Sequence, residues 1–126
     1  MIVKNVELMH LLEPQRCIEG VGFKSIRLII EEDKMGFSFH KTIIPKGGPY
    51  HWHYTKHLEA CFCIKGEGIL TNLKNQQQFV IDEGMIYILN DHDDHTFEAL
   101  EDVELISVFN PPVKGGEIHK EDGSYE

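Results

Sequence analysis

Basic residues are scarce in this chain: 12 Lys and Arg stand against 21 Asp and Glu, a net charge of -9 over 126 residues. A surface of that sign repels phosphate backbones and acidic lipid, so neither nucleic acid nor a membrane is an expected partner. Long apolar runs are also missing. No window approaches the length of a membrane span, and the stretch from Met1 to Glu7 has no basic region followed by a sustained apolar core, so a cytoplasmic location is expected. Cysteine is rare and odd in number: Cys17, Cys61 and Cys63 lack paired C-x-x-C spacing. That argues against a disulfide framework or a cysteine zinc site and leaves reduced thiols used for packing. A second domain does not fit either, since residues 1–126 suit one domain that buries about two-thirds of the surface its unfolded form exposes.

Turn signals are plentiful. Gly20 and Gly22, the run from Pro45 to Pro49, Gly66 and Gly68, Gly84, Pro111 and Pro112, and Gly115 and Gly116 separate short alternating segments. Strands are predicted over Ser25–Ile30, Gly36–Ile44, Leu58–Ile64, Gly68–Leu73, Gln77–Ile81, Met85–Leu89, Thr96–Ala99 and Val103–Phe109. So many short strands in one domain predict an all-β fold, a small barrel or sandwich. Only the first dozen residues, with Val6, Leu8, Met9, Leu11 and Leu12, suit a helical turn, which Pro14 ends. Between Phe37 and Ile43 the alternation puts Phe37, Phe39 and Ile43 on one face and Ser38, His40 and Thr42 on the other. Either the polar set faces solvent, as in an ordinary sandwich, or the barrel encloses a polar pocket for a small molecule. Arg27, a cation among Ser25, Ile26, Leu28 and Ile29, needs either an anionic partner or an exposed edge position.

The densest chemistry lies between positions 51 and 59, where His51, His53, His57 and Glu59 supply imidazole and carboxylate, ligands that suit iron, zinc and related divalent ions. Read as one extended segment from 51 to 63, the odd positions His51, His53, His57, Glu59, Cys61 and Cys63 share a face, opposite Tyr54, Leu58, Ala60, Phe62 and Ile64. His92 lies in the acidic turn from Asn90 to Asp94 and is expected to be exposed. Residues 111–126 read, on composition, as a flexible acidic tail.

The order of motifs, Glu59 and Gly66 followed by Gly84, Tyr87 and His95, resembles that of the cupin barrels. More specific text runs over nearly the whole chain. Met35 to Phe39, His53 and Tyr54, His57 to Ala60, Gly66 to Gly68, His92 to His95, Phe109 to Pro111 and Glu117 to Tyr125 together resemble the ectoine synthases. The resemblance implies a cupin-type barrel (a double-stranded β-helix, or jelly roll) with a C-terminal lid over residues 108–126. It also implies Fe(II) held by Glu59, Tyr87 and His95, with Zn(II) or Mn(II) able to suit the same donors; His51 and His53 would be reserve ligands or outer neighbours.

By the same resemblance the activity is that of a hydro-lyase, closing N-γ-acetyl-2,4-diaminobutyrate into ectoine with release of water. Tyr54, His57, Glu117 and His119 would be the catalytic candidates, and Phe23, Arg27, His40, Thr42, Phe109 and Pro111 the substrate contacts. The metal would act as a Lewis acid on an unreactive amide, and a homodimer formed through edge strands is implied as well. The chain departs from the family pattern at three places. Phe23 stands where Trp is usual and His40 where Asn is frequent, and the approach to the histidines, from Pro45 to Trp52, lacks the usual threonines. The alternatives are a metal-dependent cupin acting on another small amino acid or amide, as a dioxygenase or hydrolase, and a non-catalytic cupin that binds a small ligand.

Overall fold

The computed structural model describes residues 1–125. Two antiparallel sheets face each other around one core. The six-stranded sheet is ordered β1 (Cys17–Gly20), β2 (Phe23–Ile29), β3 (Ser38–Ile44), β10 (Val103–Asn110), β5 (Leu58–Lys65), β8 (Ile86–Leu89). The four-stranded sheet is ordered β4 (Gly47–Trp52), β9 (His95–Ala99), β6 (Gly68–Asn72), β7 (Gln77–Ile81). Strands remote in sequence lie side by side, β10 between β3 and β5, which makes the fold a small jelly-roll barrel.

Every predicted strand is present, with ends shifted by no more than two residues, and β1 and β4 are additional. β4 escapes a sequence reading because it opens on Gly47, Gly48 and Pro49, residues that signal a turn. It is an edge strand, where a missing proline N–H is tolerated. The segment from 51 to 63 is not one strand. β4 ends at Trp52, the chain bends, and β5 begins at Leu58, so Trp52 is buried while His51 is exposed. The bend is held by the exposed His92, whose Nδ1 lies 2.9 Å from the Tyr54 carbonyl and 3.1 Å from that of His57. Alternation does hold within β5, where Glu59, Cys61 and Cys63 face inward and Leu58 and Phe62 outward.

The same period settles the ambiguity in β3. Ser38 and His40 are buried inside the barrel, as are Ser25 and Arg27 on β2 and Ser107 on β10. Register divides the interior into two zones. Ile44 is opposite Val103 and Thr42 opposite Leu105 toward one end; Arg27 is opposite His40, which is opposite Ser107, toward the other. Phe97, fully enclosed, fills the apolar zone and lies so close to the β6 backbone that a Cβ on Gly68 would sit 2.5 Å from its ring. The barrel interior is thus an apolar floor beneath a polar chamber.

The N-terminal segment forms one helical turn, α1 (Met9–Leu12), and Pro14 opens a separate 3-10 turn, Pro14–Arg16. Arg16 fixes this segment to the β2–β3 connection through Asp33 at 2.7 Å and Glu32 at 2.9 Å. The hydrogen bond from Arg16 holds the Asp33 carboxyl down at about 2.

At the other terminus, residues 108–110 belong to β10, so the covering segment starts at Pro111 rather than at 108. It is not a loose tail. Its Val113 amide donates to Ser38 Oγ at 3.1 Å, its Val113 carbonyl accepts from the Glu31 amide at 2.9 Å, and its Gly123 carbonyl accepts from the His53 amide at 2.8 Å. Val113 and Tyr125 are buried, and His119 and Tyr125 form an isolated β-bridge. Composition misled here because backbone contacts and a few apolar anchors, not overall hydrophobicity, hold the segment. Glu126, the last residue of the expected lid, lies outside the described residues.

Truncating Phe97 to Ala leaves a cavity in the apolar zone and should destabilise the chain by about 3–5 kcal/mol. Urea unfolding of the two proteins measures this, with the transition shifted and its slope retained.

Candidate active site

The tail closes the polar chamber from above. The free volume left between Phe23, Thr42, Trp52, Tyr54, Glu59, Tyr87 and their neighbours is about 20 Å³, room for about one water molecule. Three strands shape its wall: Cys61 on β5 is opposite Ser107 on β10 and Tyr87 on β8. Thr42 Oγ1 and Ser107 Oγ are 2.9 Å apart, and Cys61 Sγ is 3.6 Å from Ser107 Oγ.

Glu59 and Tyr87 line this chamber, and Tyr87 and His95 line a separate cleft of about 320 Å³ between β7 and β8. Tyr87 therefore stands between the other two candidate ligands. Among the described residues no three histidine, cysteine or carboxylate side chains form a ready-made metal cage, so a metal site here depends on the phenol. The chemistry of the donors fits a divalent cation. Burial pushes the Glu59 carboxyl up to about 8, with hydrogen bonds from Cys61 and Ser107 only partly offsetting it. A cation is what this acid lacks. His95 is held neutral by burial, and its Nδ1 lies 2.9 Å from the Asp93 carbonyl, which fixes the ring and directs Nε2 to be the coordinating atom. Two oxygens and one imidazole nitrogen suit Fe(II), Zn(II) or Mn(II). His51 and His53 do not line the chamber; His51 Nε2 pairs with Asp94 at the surface, and His53 Nδ1 is 3.8 Å from the same carboxylate.

Tyr54 and His119 come together from the β4–β5 bend and the tail, with the phenol oxygen 2.7 Å from His119 Nε2, and both line the chamber. Burial, aided by the charge of Arg27, lowers His119 to about 3, and burial raises Tyr54 well above its ordinary value. The imidazole is thus neutral and the phenol protonated at neutral pH. The other two catalytic candidates serve the tail. His57 Nδ1–H donates to the Pro111 carbonyl at 2.7 Å. The Glu117 carboxylate accepts from the Lys114 and Gly115 amides at 2.7 and 2.8 Å. Burial alone would raise its pKa, but those amides and Arg27 hold it below the usual carboxylate value.

Of the expected substrate contacts, Phe23, Thr42 and Phe109 line the chamber. Arg27 is fully buried, not at an edge, and donates to the Gly115 carbonyl at 2.9 Å, the Glu117 carbonyl at 2.7 Å and Ser25 Oγ at 3.2 Å. His40 stacks on Phe109 with ring centroids 5.0 Å apart and leaves its Nε2 buried without a partner. Pro111 opens the tail directly after β10. Ser25, Trp52, Cys61, Ser107 and Tyr125 also line the chamber. The inward parity of β5 offered a signal for Cys61, but nothing local marked Trp52 or Tyr125.

The barrel is shared with a solved RmlC-like cupin from Shewanella frigidimarina, at a TM-score of 0.62 and 21% identity over 75% of this chain and 80% of that one. The architecture is that of the cupins. The likeness to one group is much closer: the crystal structure of ectoine synthase from P. lautus superposes with a TM-score of 0.87 and 36% identity, over 98% of this chain and 87% of that one. The L-ectoine synthase of Desulfosudis oleivorans is 45% identical over 100% of this chain and 97% of its own, and that of Nocardia farcinica 39% identical over 99% and 94%. The ectoine synthase family profile matches residues 1–126. The chain belongs to the ectoine synthase family.

Two pH responses follow with opposite signs. Glu59 has a folded pKa raised from 4.5 to about 8, so without metal its contribution to stability is complete below the lower value and is lost as pH rises through the higher. His119, lowered from 6.5 to about 3, contributes fully above the ordinary histidine value and loses that contribution as pH falls toward 3. Between about pH 6.5 and 8 the Glu59 contribution is falling while that of His119 is complete. The melting temperature of the metal-free protein should fall across that interval, and Glu59→Gln should flatten the decline, as followed by circular dichroism.

Proposed function

We propose that this chain closes N-γ-acetyl-L-2,4-diaminobutyrate into ectoine plus water, a carbon–oxygen lyase reaction, at a divalent cation, Fe(II), held by Glu59, Tyr87 and His95. The observation that carries the reading is the shared chamber. An uncompensated buried carboxylate and a phenol that could hold a cation lie in the same sealed space as a hydrogen-bonded tyrosine–histidine pair, in a chain of this family.

The reaction joins the substrate's α-nitrogen to its own acetyl carbon. The carbonyl oxygen leaves as water after gaining two protons, and a C=N bond remains in the ring. A cation at Glu59, Tyr87 and His95 would polarise the acetyl oxygen as a Lewis acid, without a change of oxidation state. His119, neutral because it is buried, accepts a proton from the attacking nitrogen. Tyr54, kept protonated by burial, donates to the departing oxygen, and the 2.7 Å contact between the two lets the pair carry two protons in turn, one from the attacking nitrogen on addition and one from a ring nitrogen as water leaves and the C=N bond forms.

A chamber of about 20 Å³ is too small for the substrate, so the tail must lift for loading. Lifting frees the two Nη donors of Arg27 from the Gly115 and Glu117 carbonyls, in the forked geometry that a carboxylate accepts. Thr42 and Phe109 line the space for the bent chain, and Phe23 narrows it from β2. Closure then excludes bulk water from a reaction that produces it. The reading extends to a cytoplasmic homodimer. β8 is an open sheet edge, and Phe62, Ile86 and Ile88 on its side of the barrel are 43%, 55% and 61% exposed. Among the described residues no helix is long and apolar enough to cross a membrane.

Fe(II)-loaded protein supplied with N-γ-acetyl-2,4-diaminobutyrate should yield the cyclic product by proton NMR with no oxygen uptake; oxygen consumption, or no ring, would overturn the proposal. Tyr54→Phe should lower kcat by about 10²–10⁴-fold, the range of a lost general acid, while chelation should abolish turnover until metal is restored. Phe23→Trp, which supplies the indole usual at that position, should lower KM in the same assay.

A further inference from the structure

His119 reaches the chamber on the tail, so its ring must be placed anew each time the tail closes. The hydrogen bond to Tyr54 locates Nε2 but leaves the ring free to turn about that contact. Phe23 meets the imidazole edge-on, with centroids 4.7 Å apart and planes at 85°. Tyr125, at 4.8 Å and 31°, is the tail's own residue and travels with it. Trp52 meets the imidazole nearly parallel, at 5.2 Å and 23°, and belongs to the barrel wall.

The indole is itself anchored. It stacks on Tyr50 at 5.7 Å and 15°, and Tyr50 lies under the β1–β2 turn, where a Cβ on Gly22 would be 2.5 Å from its ring. The Trp52 backbone pairs with His95 on β9, which ties the stack directly to a candidate metal ligand. We propose that Trp52 is a positioning residue for ring closure, setting the plane of the His119 imidazole as the tail shuts. The proposal rests on the reading of His119 as the proton carrier.

The test uses full-length Trp52→Leu, Trp52→Phe, His119→Asn and the Trp52→Leu/His119→Asn double variant. Trp52→Leu should lower kcat by about 30–100-fold with KM changed by no more than about threefold, as expected when a reacting group is misplaced rather than lost. Trp52→Phe, which keeps an aromatic face, should recover most of the rate. The double variant should be no slower than His119→Asn alone, because one residue acts through the other. A kcat for Trp52→Leu within about twofold of the parent, or an equally large loss in the His119→Asn background, would overturn the proposal.

Trp52 is the chain's single tryptophan, so its fluorescence reads the stack without turnover. His119→Asn should shift its emission to the red as the indole loses its imidazole neighbour, and unchanged emission would remove the stack from consideration. If Trp52→Leu fails to fold, Trp52→Phe and the emission measurement still decide. An emission shift in a parent protein that closes no ring would overturn the reaction, and the catalytic meaning of the stack with it, while leaving the contact intact.

Discussion

Arg27 has no access to water, and a guanidinium in that position is tolerable only if each donor finds an acceptor. Two of its acceptors are backbone carbonyls of the C-terminal tail, and Tyr125 places its ring 5.5 Å from the same cation. The barrel therefore cannot satisfy its own buried charge. The tail completes it, and removing the tail would expose the charge to water rather than leave it stranded. Closure and charge burial are one event, which makes the closed form a defined state, not one of many positions of a loose segment.

Other properties follow from that closure. Burial in the closed chamber raises the Glu59 pKa and lowers that of His119. Arg27 also disfavours a second positive charge on the imidazole nearby. Glu117 helps in two ways: its carboxylate lies 3.9 Å from the Arg27 guanidinium, and it binds the amides of its own turn, which presents the two carbonyls that Arg27 takes. His57 fixes the start of the same segment through the Pro111 carbonyl. Residues expected to carry protons thus divide into a pair facing the chamber, Tyr54 and His119, and a pair holding its cover.

The barrel is built to let such a chamber exist. Its apolar floor, with Phe97, Ile44, Val103 and Leu105 buried, stabilises the sheets, so the polar end is free to carry groups chosen for chemistry. Burying Ser25, Ser38, His40 and Ser107 brings little hydrophobic gain. Most find partners within the chamber or in the tail, and the two orphaned imidazole nitrogens, His40 Nε2 and His119 Nδ1, mark where that satisfaction is incomplete. Both belong to rings packed around the candidate site.

Much of this was legible from sequence alone. Period-two alternation is a local property, so the inward parity of Glu59, Cys61 and Cys63 and the polar face of β3 could be read without coordinates. The glycines and prolines marked most strand limits for the same reason. Membership in the ectoine synthase family was legible because its motifs run along most of the chain. Tertiary structure alone decided how remote segments meet: that Arg27 bonds the tail, that Tyr54 touches His119, and that Trp52 stacks on a ring 67 positions away in the numbering. It also decided that His51 turns outward, since the bend after Trp52 breaks the alternation that placed it beside Glu59. Local patterns state which face a side chain takes. Which other face it meets depends on the closing of the barrel and the fall of the tail, and those are set by contacts between residues that no local window contains.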